Sequence, residues 1–103
     1  MKHPASFMQT EKECYLCKKL GRENTYELEK HHIFEGPRRN ASEETGAWVW
    51  LCHAHHTADP HSAHMSGYVN RRLKEIAQKR FEKTHTRGEF MAIFHENYLL
   101  EDM

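Results

Sequence analysis

Read for apolar and polar positions, the chain alternates short ordered stretches with polar connections. Tyr26 to Phe34 alternates, with Tyr26 and Leu28 on one face, until Gly36-Pro37 stops it, and this predicts a first strand. Ala47 to Leu51, AWVWL, is apolar throughout, too short for a free-standing helix and rich in aromatic and β-branched residues, so it predicts a second strand buried on both sides. Between them, Arg38 to Gly46 has no apolar period and reads as a loop. Within it Ser42-Glu43-Glu44-Thr45 and then Gly46 suit one helical turn with a glycine end. Ahead of the first strand, CYLC at Cys14 to Cys17 reads as a tight knuckle, and Lys18 to Asn24 as a polar turn around Gly21. After Cys52 a short helix should carry His53, His55 and His56 and break at Asp59-Pro60. From about Tyr68 to Lys83, Val69, Leu73, Ile76, Ala77 and Phe81 approximate one apolar stripe and predict the longest helix. Thr86-Arg87-Gly88-Glu89 has the form of a capping box, opening a last helix with Phe90, Ile93, Phe94 and Tyr98 on its apolar side. The expected class is α+β.

Composition adds a constraint on stability. With 103 residues, 38% hydrophobic and 29% charged, the chain reads as one small domain, residues 1–103, with few side chains for a core. Something besides packing should help to hold it. The N-terminal stretch lacks an apolar core and no long apolar run follows, which excludes a signal peptide and a membrane span from the expectation and favours the cytoplasm.

Charge changes the picture only when it is counted by segment. The formal net charge is zero, yet Tyr68 to Arg87 holds seven cations (Arg71, Arg72, Lys74, Lys79, Arg80, Lys83, Arg87) against Glu75 and Glu82, a local balance of +5. From Gly88 onward the charges are Glu89, Glu96, Glu101 and Asp102, all acidic. The total therefore conceals a basic stretch, led by Arg71, Arg72 and Lys74, that suits either phosphate contacts or a solvated helix face.

Three cysteines fit a paired disulfide framework poorly and a metal site in a reducing compartment well. Cys14 and Cys17 form a C-x2-C pair, and Cys52 with His55 forms a C-x2-H pair, together the three sulfurs and one nitrogen of a closed structural zinc site. Such a zinc suits a domain of small apolar content, because zinc binding of roughly 10 kcal/mol or more couples directly to folding.

His31, His32, His56 and His64 remain. EKHHI ending the first strand of a hairpin, LCHAHH into which its second strand leads, and a final histidine in SAH resemble the HNH endonucleases of the ββα-metal, or His-Me finger, type. The WVWLC approach and the HTRGEFMAIFHENYL end also resemble short prophage HNH or recombination-enhancement nucleases. The resemblance implies a treble-clef-like, zinc-stapled ββα-metal core over residues 14–64 with a helical extension over 65–103. It implies His32 as general base, and His31, His56 and His64 as ligands of a catalytic divalent ion. Adjacent strand residues point to opposite sides, so a tandem pair can send one imidazole to an ion and the other toward water. His61 competes with His64 for the third ligand. The implied function is metal-dependent hydrolysis of DNA phosphodiesters, phage or prophage encoded, in recombination, repair or processing, beside a recombinase filament or other phage DNA-processing proteins and without a membrane.

The chemistry requires these residue types. A divalent ion neutralises charge at the scissile phosphate while neutral imidazole takes a proton from water near pH 7. Three imidazoles favour Mn2+, Ni2+, Zn2+ or Co2+, and the family resemblance also permits Mg2+. The family's asparagine would fall near Gly46 and Ala47, which leaves Asn40 as the nearest candidate to fix His32, or as an ordinary turn residue. Arg38 and Arg39 suit contacts to the substrate backbone or plain solubility. Two other classes stay open at this point: a non-catalytic zinc-stapled DNA-binding module, and a zinc-stapled protein-interaction domain.

Overall fold

The computed structural model describes residues 4–99, and its sheet is a single antiparallel pair. Strand β1 (Leu28–His32) lies against β2 (Trp48–Cys52), with Leu28 opposite Cys52 and His32 opposite Trp48. β2 is buried at every position but the half-buried Trp50, as an all-apolar run between two packed layers should be. An N-terminal segment satisfies polar groups along β2: Phe7 N–H donates to Gly46 O, Ser6 Oγ donates to Trp48 O, and Gln9 Oε1 accepts from Trp50 N–H. These bonds occupy groups that an open edge would leave to another chain.

Helix α1 (Tyr15–Lys19) turns the CYLC knuckle into one short helix, with the Cys14 side chain accepting from Cys17 N–H at its start. The loop expected at Arg38 to Gly46 is instead mostly helical. A 3-10 turn (Gly36–Arg38) runs into α2 (Arg39–Thr45), which ends on Gly46 at φ +87°. The glycine end was legible, but the length of the helix was not, because α2 is held by one buried polar residue rather than by an apolar stripe. Ser42 Oγ accepts from Phe34 N–H and donates to Phe34 O, both at 2.9 Å, locking α2 to the chain just beyond β1.

After β2 the chain makes a π-helical turn (Ala54–Ala58) rather than an α-helix, ending at Asp59. Two backbone bonds fold the following segment back on it, Ala63 N–H to His55 O and His64 N–H to His56 O.

Helix α3 (Gly67–Phe81) is capped by Ser66, and α4 (Arg87–Phe94) opens with the expected Thr86–Glu89 capping box. α4 stops earlier than the apolar spacing suggested: His95 takes φ +66°, so Tyr98 lies beyond the helix. It still joins the core, its ring centroid 5.5 Å from that of Phe34, which also meets Phe90 and Phe94. Burying a phenylalanine stabilises by roughly 1.5–3 kcal/mol, so Phe34 ties β1 firmly to the C-terminal helices. Gln78 is fully buried yet satisfied, donating to Glu82 and Asn97 and accepting from Tyr98 N–H. Among the described residues no helix is long and apolar enough to cross a membrane. Glu101 and Asp102 of the acidic tail lie outside the described residues.

Candidate metal centres

The C-x2-C pair on α1 and the C-x2-H pair at the end of β2 converge. His55 Nδ1 stands 3.5 Å from Cys14 Sγ, 3.3 Å from Cys17 Sγ and 3.5 Å from Cys52 Sγ, and the Cys17 and Cys52 sulfurs are 3.9 Å apart. A tetrahedral zinc with bonds near 2.3 Å to sulfur and 2.0–2.1 Å to nitrogen would give edges of about 3.8 Å and about 3.6 Å, close to what is seen. The three sulfurs are buried. Burial and the neighbouring Cys14 push the Cys17 thiol up to about 11, so the sulfur keeps its proton unless a cation stands beside it. This Cys3His group can hold a metal ion such as zinc.

A second group, His31, His56 and His64, offers nitrogens that also lie within 4.8 Å of one another. The pleat of β1 builds it. Glu29 and His31, two residues apart, share the face turned to the π-helical turn, whereas Lys30 and His32 share the face turned to α2. Glu29 Oε1 accepts from His56 Nδ1 at 2.7 Å, and Oε2 accepts from the exposed His53 at 3.1 Å. Since a carboxylate only accepts, His56 Nδ1 carries the proton and its Nε2 presents a lone pair. That lone pair faces His64 Nε2 at 3.2 Å. His31 is 1% exposed and its Nε2 is buried without a hydrogen-bond partner. Burial, reinforced by His56 and His64, holds His31 down at about 3, so it is neutral and its lone pair is available. An orphaned buried nitrogen beside two more imidazole nitrogens is a donor set that fits a divalent ion, with Glu29 orienting one ligand in the manner of a carboxylate–histidine–metal triad.

His32 lines the same cavity, of about 230 Å³, with His31, His56, His64, Lys30, Glu35 and Arg39. Its Nε2 lies 2.5 Å from Glu43 Oε1, and Lys30 Nζ reaches the same carboxylate at 3.2 and 3.4 Å. At the cavity's other side Glu35 pairs with Lys74 at 2.7 Å and accepts from Asn70 at 2.5 Å. Burial opposes ionisation of Glu35, but Lys74 and Asn70 outweigh it and hold its carboxyl below the ordinary range. A larger cavity, about 600 Å³, between Phe7, Arg80, Phe81 and Ile93, contains none of the clustered donors.

Not every residue singled out in the sequence gathers at the cavity. His61 is exposed and paired with Asp59, so His64 is the histidine that stands with His31 and His56. Asn40 is exposed on α2, and the contact to His32 comes from Glu43, one turn further along that helix. Of the two loop arginines, Arg39 lines the cavity and Arg38 is half-buried in the turn beside it. On α3, Arg71 donates to Tyr98 O and Arg72 pairs with Glu75, while Lys74 is drawn inward to Glu35. Sequence reasoning passed over Glu29, Glu35 and Glu43; only the i, i+2 relation of Glu29 to His31 along β1 signalled any of them. A scan of protein-family models, a search of curated proteins and a search of solved structures each return no match to this chain.

Proposed function

We propose that this chain is a metal-dependent DNA endonuclease built on a zinc-stapled, treble-clef-like ββα-metal core, as the HNH resemblance implies. The observation that carries the proposal is the buried, unpartnered Nε2 of His31 beside His56 and His64, in a cavity that His32 also lines. His31, His56 and His64 would hold the divalent ion, and Cys14, Cys17, Cys52 and His55 the structural zinc. When bound, the divalent ion would supply charge neutralisation at the scissile phosphate and at the departing oxygen.

The chain's own residues do the rest. His32 takes a proton from water, and the hydroxide attacks phosphorus as the bond to the leaving oxygen breaks. Glu29 keeps His56 in the tautomer whose Nε2 faces the cluster. Arg39, at the cavity wall, meets the phosphate backbone, with Arg38 and Asn40 beside it. Arg71, Arg72 and Lys74 extend that contact along α3, where Lys74 works through its pairing with Glu35. Recombination, repair or processing of phage DNA is the setting to which the prophage resemblance points, with a recombinase filament as partner.

Supercoiled plasmid incubated with zinc-loaded protein and a series of Mg2+, Mn2+, Co2+ and Ni2+ tests this directly. Nicked or linear product that requires the added ion and is lost with chelator is expected. No cleavage with any ion, with or without a recombinase filament on the DNA, contradicts the proposal.

A further inference from the structure

The geometry points to Glu43 as the positioning residue of His32, an assignment that rests on the nuclease reading above. Glu43 Oε1 lies 2.5 Å from His32 Nε2. Because a carboxylate only accepts, the ring proton sits on Nε2, and Nδ1 becomes the nitrogen with the free lone pair. The opposite tautomer would set a lone pair against a carboxylate oxygen at that distance. Glu43 thereby selects which nitrogen of His32 receives the proton from water.

Three features keep this carboxylate in place. Ser42, its neighbour on α2, is bonded in both directions to the backbone of Phe34, two residues beyond His32, so the helix and the end of β1 are in fixed register. Lys30 shares the strand face of His32 and donates to both carboxylate oxygens, at 3.4 and 3.2 Å. Lys30 is in turn seated 4.1 Å above the Trp48 ring, on the strand opposite. The carboxylate is thus held between a cation and the imidazole, with His32 and Glu43 side chains 12% and 21% exposed.

The proton balance follows. Water gives one proton to His32 Nδ1, and the resulting hydroxide forms the new bond to phosphorus. The bond from phosphorus to the leaving oxygen breaks with its electron pair on that oxygen, which takes a proton from solvent. His32 is then an imidazolium whose Nε2–H still points at Glu43, and the carboxylate's negative charge stabilises it. Glu43 never touches the reacting atoms. It is the element here that fixes the base, where the sequence offered only Asn40.

The test uses full-length zinc-loaded protein labelled with 15N-histidine. His32 is assigned by its absence in His32→Ala, and the tautomer is read from ring nitrogen shifts at pH 8. Wild type should show His32 as Nε2–H. Glu43→Ala should mix the tautomers and lower kcat by about 10- to 100-fold, the scale for losing a partner that orients a functional imidazole, with KM and DNA affinity unchanged. Glu43→Gln, whose side-chain oxygen can accept the same N–H, should keep the tautomer and recover part of kcat. A wild-type His32 found as Nδ1–H overturns the assignment. So does a Glu43→Ala protein with full kcat while His32→Ala is inactive, an outcome that leaves the nuclease reading standing. Normal cleavage by His32→Ala overturns the base itself.

Discussion

His55 and His56 are consecutive residues on one π-helical turn, yet each belongs to a different donor group: His55 Nδ1 faces the three cysteine sulfurs, and His56 Nε2 faces His64. Successive residues on such a turn are rotated by roughly 100° or a little less, enough for two imidazoles to serve two ions. The Cys3His group therefore sets the position of the turn that presents His56. The two donor groups are mechanically one piece.

Removing the Cys3His metal should consequently do more than soften the fold. Cys17→Ala is expected to lower folded yield and broaden unfolding, and any folded fraction should bind Mn2+ more weakly at the second site. Metal analysis and calorimetric titration of the purified variant check both. A stable, zinc-free Cys17→Ala protein with unaltered Mn2+ affinity would count against this coupling.

Gly46 closes α2 in a conformation that L side chains rarely adopt, and a Cβ there would run into the carbonyl oxygen of Ala5. Gly46→Ala should therefore cost about 1–3 kcal/mol and lower Tm by roughly 5 °C or more. Thermal unfolding of the zinc-loaded proteins measures it, and an unchanged Tm would mean that the N-terminal segment yields without cost.

Glu35 supplies a pH dependence. Its carboxyl is held below its ordinary value, so its pairing with Lys74 and Asn70 contributes stability above the usual carboxylate range, near pH 4.3, and loses it as pH falls through the lower folded value. Lys74→Met removes the main partner. The gap between wild type and Lys74→Met in urea midpoint should be widest at pH 6–7 and shrink toward pH 3. A gap that stays constant with pH would assign the loss to packing alone.

Replacing Arg71, Arg72 and Lys74 together should weaken DNA binding alike across sequences and flatten its salt dependence, because each phosphate contact releases counterion. Fluorescence anisotropy at several salt concentrations reads the slope. An unchanged slope would leave these cations as intramolecular partners of Tyr98, Glu75 and Glu35 only.

What the sequence disclosed depended on whether partners were near each other in the chain. Cys14 with Cys17 and Cys52 with His55 are local pairs of metal-ligand spacing, so their donor group could be written down before the fold. The Thr86–Glu89 capping box was legible for the same reason. Glu29 with His56 and Glu43 with His32 span 27 and 11 residues, and their meeting depends on the pleat of β1 and on a helix that no apolar period announces. Only the last turn of α2 was legible, because Ser42, a polar residue, anchors the helix in place of an apolar stripe. Tyr98 was assigned to α4 because spacing alone does not reveal the left-handed turn at His95.

The central claim, a base at His32 beside an ion held by His31, His56 and His64, is tested most directly by plasmid nicking run in parallel with calorimetric titration of Mn2+ into zinc-loaded wild type, His32→Ala and His56→Ala. The account predicts that His32→Ala binds zinc, Mn2+ and DNA as wild type does but cleaves about two to four orders of magnitude more slowly. His56→Ala should keep zinc while losing both Mn2+ affinity and cleavage. Nicking at the wild-type rate by a contaminant-free His32→Ala protein, or wild-type Mn2+ binding by His56→Ala, would contradict it.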